Sequence, residues 1–153
     1  MDGRSPTPKA MPSVELGEDY PELRQSVRAL CANYPGGYWR ELESKDGYPT
    51  AFIVELTKAG FLAALIPEEY GGAGLPLRAA AVILEEINAS GCTASQGHAQ
   101  MYIMGTLLRH GSAEQKARYL PAIANGSLRL QAFGVTEPGI IVAPDVLKGG
   151  MTP

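Results

Sequence analysis

Gly and Pro interrupt this chain at short intervals, and between them apolar residues recur at helical spacing. That combination restricts the fold to short helices joined by shaped turns. With 18 Gly and 12 Pro in 153 residues, one long uninterrupted bundle is excluded. The first helix is expected from Asp19, read as its N-cap, with Pro21 in the first turn and Glu22 completing a capping-box-like pair. Leu23, Val27 and Leu30 form its periodic face, and it should end before Pro35, with Gly36 and Gly37 marking the turn. A short amphipathic piece, YWRELES, follows. A second helix is expected over residues 49–59, where Phe52, Leu56 and Ala59 share a face and Gly60 sits at the C′ position.

The run FLAALIP has the length of a strand or a buried loop and stops at Pro67. EEYGGAGLP then places Gly71, Gly72 and Gly74 together, too much backbone freedom for a helix interior, so a shaped turn is expected. A third helix is predicted over residues 76–88, with Leu77, Ala80, Leu84 and Ile87 on one face and Glu85 and Glu86 near its edge. SGCTAS is a junction, and residues 95–110 form a further helix with so few polar positions that cover on several sides is expected. Gly97 and Gly105 would let a neighbouring backbone or a ligand come close. Ser112 and Gln115 form a capping box for the last helix, in which Pro121 either makes a kink or starts a separate turn, and residues 124–126 close it.

From Leu128 the period changes. LRLQAFGVT alternates Leu128, Leu130 and Ala132 against Arg129, Gln131 and Phe133, a strand pattern. A lone strand leaves its backbone groups unpaired. The expected fold class is therefore all-α, a multi-helix domain ending in the first strand of an incomplete β domain. The boundaries read as a flexible tail over 1–18, a helical domain over 19–127, the start of a β domain over 128–139, and a divergent tail over 140–153.

Charge and composition remove several functions. The net charge of −3 and the absence of any Lys/Arg block argue against nucleic-acid binding. No run approaches the ~20 apolar residues of a membrane span. The first residues hold no apolar signal core, so a cytoplasmic location is expected, with an organelle matrix as the alternative. Cys31 and Cys92 have no CxxC partner, and His98 and His110 are not spaced as zinc ligands, so no metal site is read. Both cysteines read as buried thiols in or near helices. The Gly-rich turn has neither the GxGxxG nor the GxxxxGK[ST] spacing of a phosphate loop.

Three segments carry a resemblance: LAALIPEEYGGAGLP (62–76), LLRHGSAEQKARYLPAIANGSL (107–128) and QAFGVTEPG (131–139), with EEINASGCTASQ (85–96) as a fourth. In this order and spacing they resemble the amino-terminal part of the acyl-CoA dehydrogenase family, over residues 19–139. The resemblance implies a three-part enzyme: an α-helical domain, a β domain and a carboxy-terminal four-helix bundle. It implies FAD as cofactor, an acyl-CoA thioester as substrate, and α,β-dehydrogenation as the reaction, within fatty acid metabolism. A carboxylate takes the α-proton while the β-hydride passes to the flavin, which demands close positioning and donors for developing enolate charge. Electrons would pass on to an electron-transferring flavoprotein, and a homo-oligomer is expected.

By the same resemblance, Phe133, Val135 and Thr136 contact the flavin, with the Thr136 hydroxyl near its reactive edge. Taken alone, Thr136 reads as an ordinary strand-end residue capping the TEPG turn. Gln96, Gly97, Gln100 and Met104 match family positions beside the acyl chain, and Gly97, standing where a side chain is often present, would widen the pocket. The plain alternative is helix packing, with Gly97 a close-approach point and Met104 a core filler. No catalytic residue is read in this chain: the family's base belongs to the carboxy-terminal domain, so Glu85, Glu86 and Glu137 are not assigned that role.

After Gly139 the pattern departs from the family, which continues with small residues and a Ser/Thr–Asp pair, whereas here the chain reads IIVAPDVLKGGMTP. The expectation is a truncated or frame-shifted amino-terminal part without activity of its own, exposing Leu, Ile and Met faces and self-associating. The rival expectation is a non-enzymatic helical interaction module.

Overall fold

A computed structural model describes residues 19–131 of the chain. Among the described residues the order is α1 (Pro21–Cys31), α2 (Gly36–Ser44), α3 (Thr50–Lys58), two 3₁₀ turns (Phe61–Ala63 and Glu68–Tyr70), α4 (Leu77–Ala89), α5 (Ser95–His110) and α6 (Ala113–Ala124). No strand occurs among them, so the described part is all-α.

Helix α1 starts at Pro21, one residue later than an Asp19 cap implies, and its cap is Tyr20 in the left-handed region, with no side-chain capping bond. Asp19 does not serve as N-cap because its carboxylate and carbonyl both accept from Arg24 Nε, at 3.0 and 2.9 Å. Gly36 and Gly37 also depart from expectation. They form the first turn of α2, with Pro35 as its cap, rather than a turn between elements. First-turn N–H groups lack intrahelical partners, so the helix can begin directly after an extended proline. No residue of α2 is fully buried. Edge-to-face rings hold it instead: Trp39 lies 5.1 Å from Phe52, and Tyr38 lies 4.9 Å from Tyr34.

Helix α3 follows the predicted face in part. Phe52 and Leu56 are fully buried, with Ile53 beside them, whereas Ala59 is exposed. Gly60 ends the helix at φ 79°, where the C′ glycine was expected. FLAALIP becomes a buried 3₁₀ loop rather than a strand, and the Gly-rich segment folds back on it. Ala73 and Leu75 N–H donate to Ala63 and Ala64 carbonyls at 3.3 and 2.7 Å. A Cβ on Gly72 would stand 2.0 Å from the Ile66 carbonyl oxygen, so only glycine fits there.

Helix α4 shows the largest shift in register. Its buried residues are Ala79, Ala80, Val82, Ile83, Glu86 and Ile87, while Leu77 is 74% exposed. Of the predicted stripe, Ala80 and Ile87 are buried as expected, whereas Leu77 is exposed and Leu84 half-buried, so the covered face is rotated towards Ile83 and Glu86. The cause is α1, which packs along α4 and places Arg24 and Arg28 opposite Glu86. Helix α5 packs on α6, α4 and the first 3₁₀ turn, the covered position its apolar sequence requires. The Ser112 capping box is present in both halves, Gln115 N–H to Ser112 Oγ at 3.1 Å and Ser112 N–H to Gln115 Oε1 at 2.8 Å. Pro121 lies within a continuous α6.

Residues 128–131 carry no strand ladder. They lie against the helices instead: Leu128 N–H donates to Ala122 O at 2.9 Å, and Arg129 to Thr57 Oγ1 at 3.1 Å. The remainder of the expected strand, residues 132–139, and the 140–153 tail lie outside the described residues. The surface differs from expectation as well. Exposed large apolar side chains among the described residues are Tyr48 and Leu77, and Met101, Ile103 and Met104 are buried.

Candidate functional site

The residues matched to the acyl chain sit on α5, from its first turn to just past its middle, and the structure divides them. Gly97, Gln100 and Met104 face the core, while Gln96 is half-buried on the adjoining face. A Cβ on Gly97 would come within 3.3 Å of Leu62 Cδ2 and 3.6 Å of Leu84 Cδ2. The missing side chain is therefore filled by neighbours, so Gly97 sets how closely α5 approaches α4 and the 3₁₀ loop.

Gln100 is fully buried, and its Nε2 donates to Leu62 O at 3.3 Å. Its Oε1 has no partner, and neither does the buried Oε1 of Gln96 one helical turn away. Buried amide oxygens without donors are uncommon, because each forfeits its hydration on burial. These two make this end of α5 a place where a donor group would be stabilised.

Gln96 also lines an open cavity of about 450 Å³, together with Trp39, Leu42, Pro49, Asn88, Cys92 and Thr93 among others. Its carbonyl accepts from Gln131 Nε2 at 3.3 Å, and Gln131 Oε1 accepts from Tyr48 Oη at 2.9 Å. Three segments far apart in sequence thereby meet at the start of α5. Trp39, Tyr48 and Gln131 were not singled out from sequence, since their roles depend on how α2 and residues 128–131 fold back.

Glu86, set aside as a base, is tied down. It accepts from Arg28 Nε at 2.8 Å and from Arg24 at 3.4 Å. The Arg28 hydrogen bond, reinforced by Arg24 and opposed by burial, holds its carboxyl below the usual carboxylate range. A carboxylate so stabilised is a poor proton acceptor. Glu85 pairs with Arg24 at 2.9 Å on the exposed side. His98 packs edge-on against Tyr102 at 5.3 Å, and His110 ends α5 on the surface. Cys31 and Cys92 are free buried thiols, as the sequence suggests, and are neighbours in space.

Phe133, Val135, Thr136 and Glu137 lie outside the described residues. The unpartnered buried side-chain atoms among the described residues are Ser90 Oγ, Gln96 Oε1 and Gln100 Oε1. Two are pure acceptors, whereas the hydride-accepting edge of a flavin calls for donors. The described residues do not by themselves fit a flavin. Among the same residues, no helix is long and apolar enough to cross a membrane.

A model of the family described as acyl-CoA dehydrogenase, N-terminal domain, matches residues 17–127. The acyl-CoA dehydrogenase FadE12 of Mycobacterium tuberculosis is 36% identical over 122 residues, covering 79% of this chain and 31% of that protein. The short-chain specific mitochondrial acyl-CoA dehydrogenase of Mus musculus is 35% identical over 132 residues, covering 83% and 31%. Among solved structures, one described as the electron transferring flavoprotein of Acidaminococcus fermentans superposes with TM-score 0.68 at 26% identity, covering 83% of this chain and 34% of that one. The ChsE4–ChsE5 complex of Mycobacterium tuberculosis gives TM-score 0.60 at 28% identity, covering 84% and 33%. The chain spans about a third of the length of the curated relatives it matches. With the family match running from ahead of α1 to the end of α6, through the helices that set Gln96 and Gln100 side by side, the chain belongs to the acyl-CoA dehydrogenase family and carries its N-terminal domain.

Proposed function

We propose that this domain serves FAD-dependent α,β-dehydrogenation of an acyl-CoA thioester by walling one side of the acyl site in the complete enzyme. The observation that carries the reading is the family match over residues 17–127. Gln96, Gly97, Gln100 and Met104 are assigned to the acyl wall. Gly97 sets the closeness of α5, Met104 backs it as a packed filler, and the two glutamines orient polar groups. FAD, when bound, supplies the hydride acceptor, and Phe133, Val135 and Thr136 are assigned to it. The proposal includes an electron-transferring flavoprotein as electron acceptor, a homo-oligomeric assembly and a cytoplasmic location. It also holds that the 153-residue chain alone does not turn over, since it covers 31% of its dehydrogenase relatives. The interaction-module reading has, among the described residues, Tyr48 and Leu77 as its exposed large apolar side chains.

The test is to purify the chain, record its flavin absorbance, and assay acyl-CoA oxidation with an electron acceptor, with and without the remaining family domains supplied in trans. Colourless protein that becomes active on complementation is expected. Stoichiometric yellow cofactor on the chain alone would overturn the claim of inactivity. No activity in any complemented mixture, with folding of both parts verified by circular dichroism, would overturn the dehydrogenase reading.

A further inference from the structure

The side chains left unused by that function include a thiol pair beside the α5 cavity. Cys31 ends α1, and Cys92 lies in the junction between α4 and α5, 61 residues away. Both are buried, at 2% and 6% exposure. The Cys92 thiol reaches the carbonyls of Cys31 and Tyr34, each at 3.8 Å. Cys92 is part of the wall of the roughly 450 Å³ cavity, and Cys31 is not among its lining residues. A small solute entering the cavity therefore meets Cys92 first.

We propose that Cys92 is an oxidation site and Cys31 its resolving thiol, so that a peroxide converts the pair to a disulfide joining α1 to the α4–α5 junction. In the first step the Cys92 thiolate attacks one peroxide oxygen and the O–O bond breaks. Hydroxide leaves, takes a proton and becomes water, and Cys92 becomes a sulfenic acid. In the second step the Cys31 sulfur attacks the Cys92 sulfur. The S–O bond breaks, the S–S bond forms, and the departing hydroxyl leaves as water with the Cys31 proton. Two thiols lose two electrons and two hydrogens, and one peroxide yields two waters.

The order of attack follows from the surroundings. Burial and the neighbouring Cys92 push the Cys31 thiol up to about 12, so at neutral pH it remains protonated and does not start the reaction. Cys92 has the cavity. Trp39, the chain's one tryptophan, also lines that cavity, and its Nε1 donates to Tyr34 O at 3.0 Å, the carbonyl that Cys92 Sγ also reaches. Disulfide formation removes the thiol donor from that shared carbonyl, giving Trp39 fluorescence as a local reporter. None of this depends on the dehydrogenase reading.

The test treats the folded chain with hydrogen peroxide, traps remaining thiols by alkylation in denaturant, and maps peptides by mass spectrometry. A Cys31–Cys92 linked peptide lighter by two hydrogens, reversed by dithiothreitol together with a Trp39 fluorescence change, is expected. In Cys31→Ser, dimedone should capture a sulfenic acid on Cys92. In Cys92→Ser, loss of the Cys31 thiol should slow by at least about tenfold. The proposal is overturned if both thiols remain alkylatable, if only intermolecular disulfides form, or if Cys31 oxidises at an unchanged rate in Cys92→Ser. Running the wild-type chain in parallel in urea covers variants that fail to fold. A linked peptide that appears in urea but not in the native protein would also overturn it.

Discussion

At the scale of single residues, Glu86 shows how far charge governs this fold. Its side chain is 6% exposed and held by two arginines from α1. A buried carboxylate is tolerated only when its partners replace the lost hydration. Replacing it in Glu86→Gln should cost about 1–3 kcal/mol, read as a lower urea midpoint. The sign of the pH effect follows from its lowered folded-state pKa. Its stabilisation is complete above the unfolded value, about 4.3, and is lost as pH falls through the lower folded value. The wild-type midpoint should therefore drop on the acid side more than that of Glu86→Gln. Parallel acid slopes for the two proteins would contradict this account. In the sequence Glu86 stood at the edge of a helical stripe, and nothing local distinguished it from Glu85. The packing of α1 along α4 buries Glu86 and leaves Glu85 at the surface.

Among the elements, those legible in the sequence were the ones whose signals are local. Gly60 and the Ser112–Gln115 box appear where they were expected, because capping involves groups within one turn. Helix α5 runs over Ser95–His110 as its pattern implied. Orientation was less legible. Helix α4 buries Ile83 and Glu86 instead of Leu77 because α1 selects the face. The expected consequence is that Ile83→Ala loses about 2–5 kcal/mol, whereas Leu77→Ala stays within about 0.5 kcal/mol of wild type. Thermal unfolding of the two variants measures both. A Leu77→Ala protein destabilised as much as Ile83→Ala would restore the original register. The residues proposed for the acyl wall show the same limit. Resemblance singled out Gln96, Gly97, Gln100 and Met104, yet of these Gln96 lines the cavity, whose wall uses Trp39 from α2, and Tyr48 and Gln131 tie the same corner. Those partners come from chain return, which no local pattern encodes.

Across the molecule, one apolar cluster links every described helix, from Val27 of α1 through Phe52, Ile83 and Met104 to Leu120 of α6, with Trp39 of α2 packed against it. A single shared core predicts one cooperative transition. Trp39 fluorescence and far-ultraviolet circular dichroism should therefore give coincident urea curves, and separated midpoints would show that α2 unfolds on its own. Of the strand expected from Leu128, residues 128–131 are described, and they bond to α6 and α3. The sequence by itself determined that the chain would make short helices, where most of them stop, and which family they resemble, because propensity, capping and turn chemistry act over a few residues. Tertiary structure decided which face of α4 is buried, that Gly97 is a contact and not a gap, and that Cys31 lies beside Cys92. Each of those depends on what another part of the chain brings alongside, and burial and electrostatics act through space without regard to sequence separation.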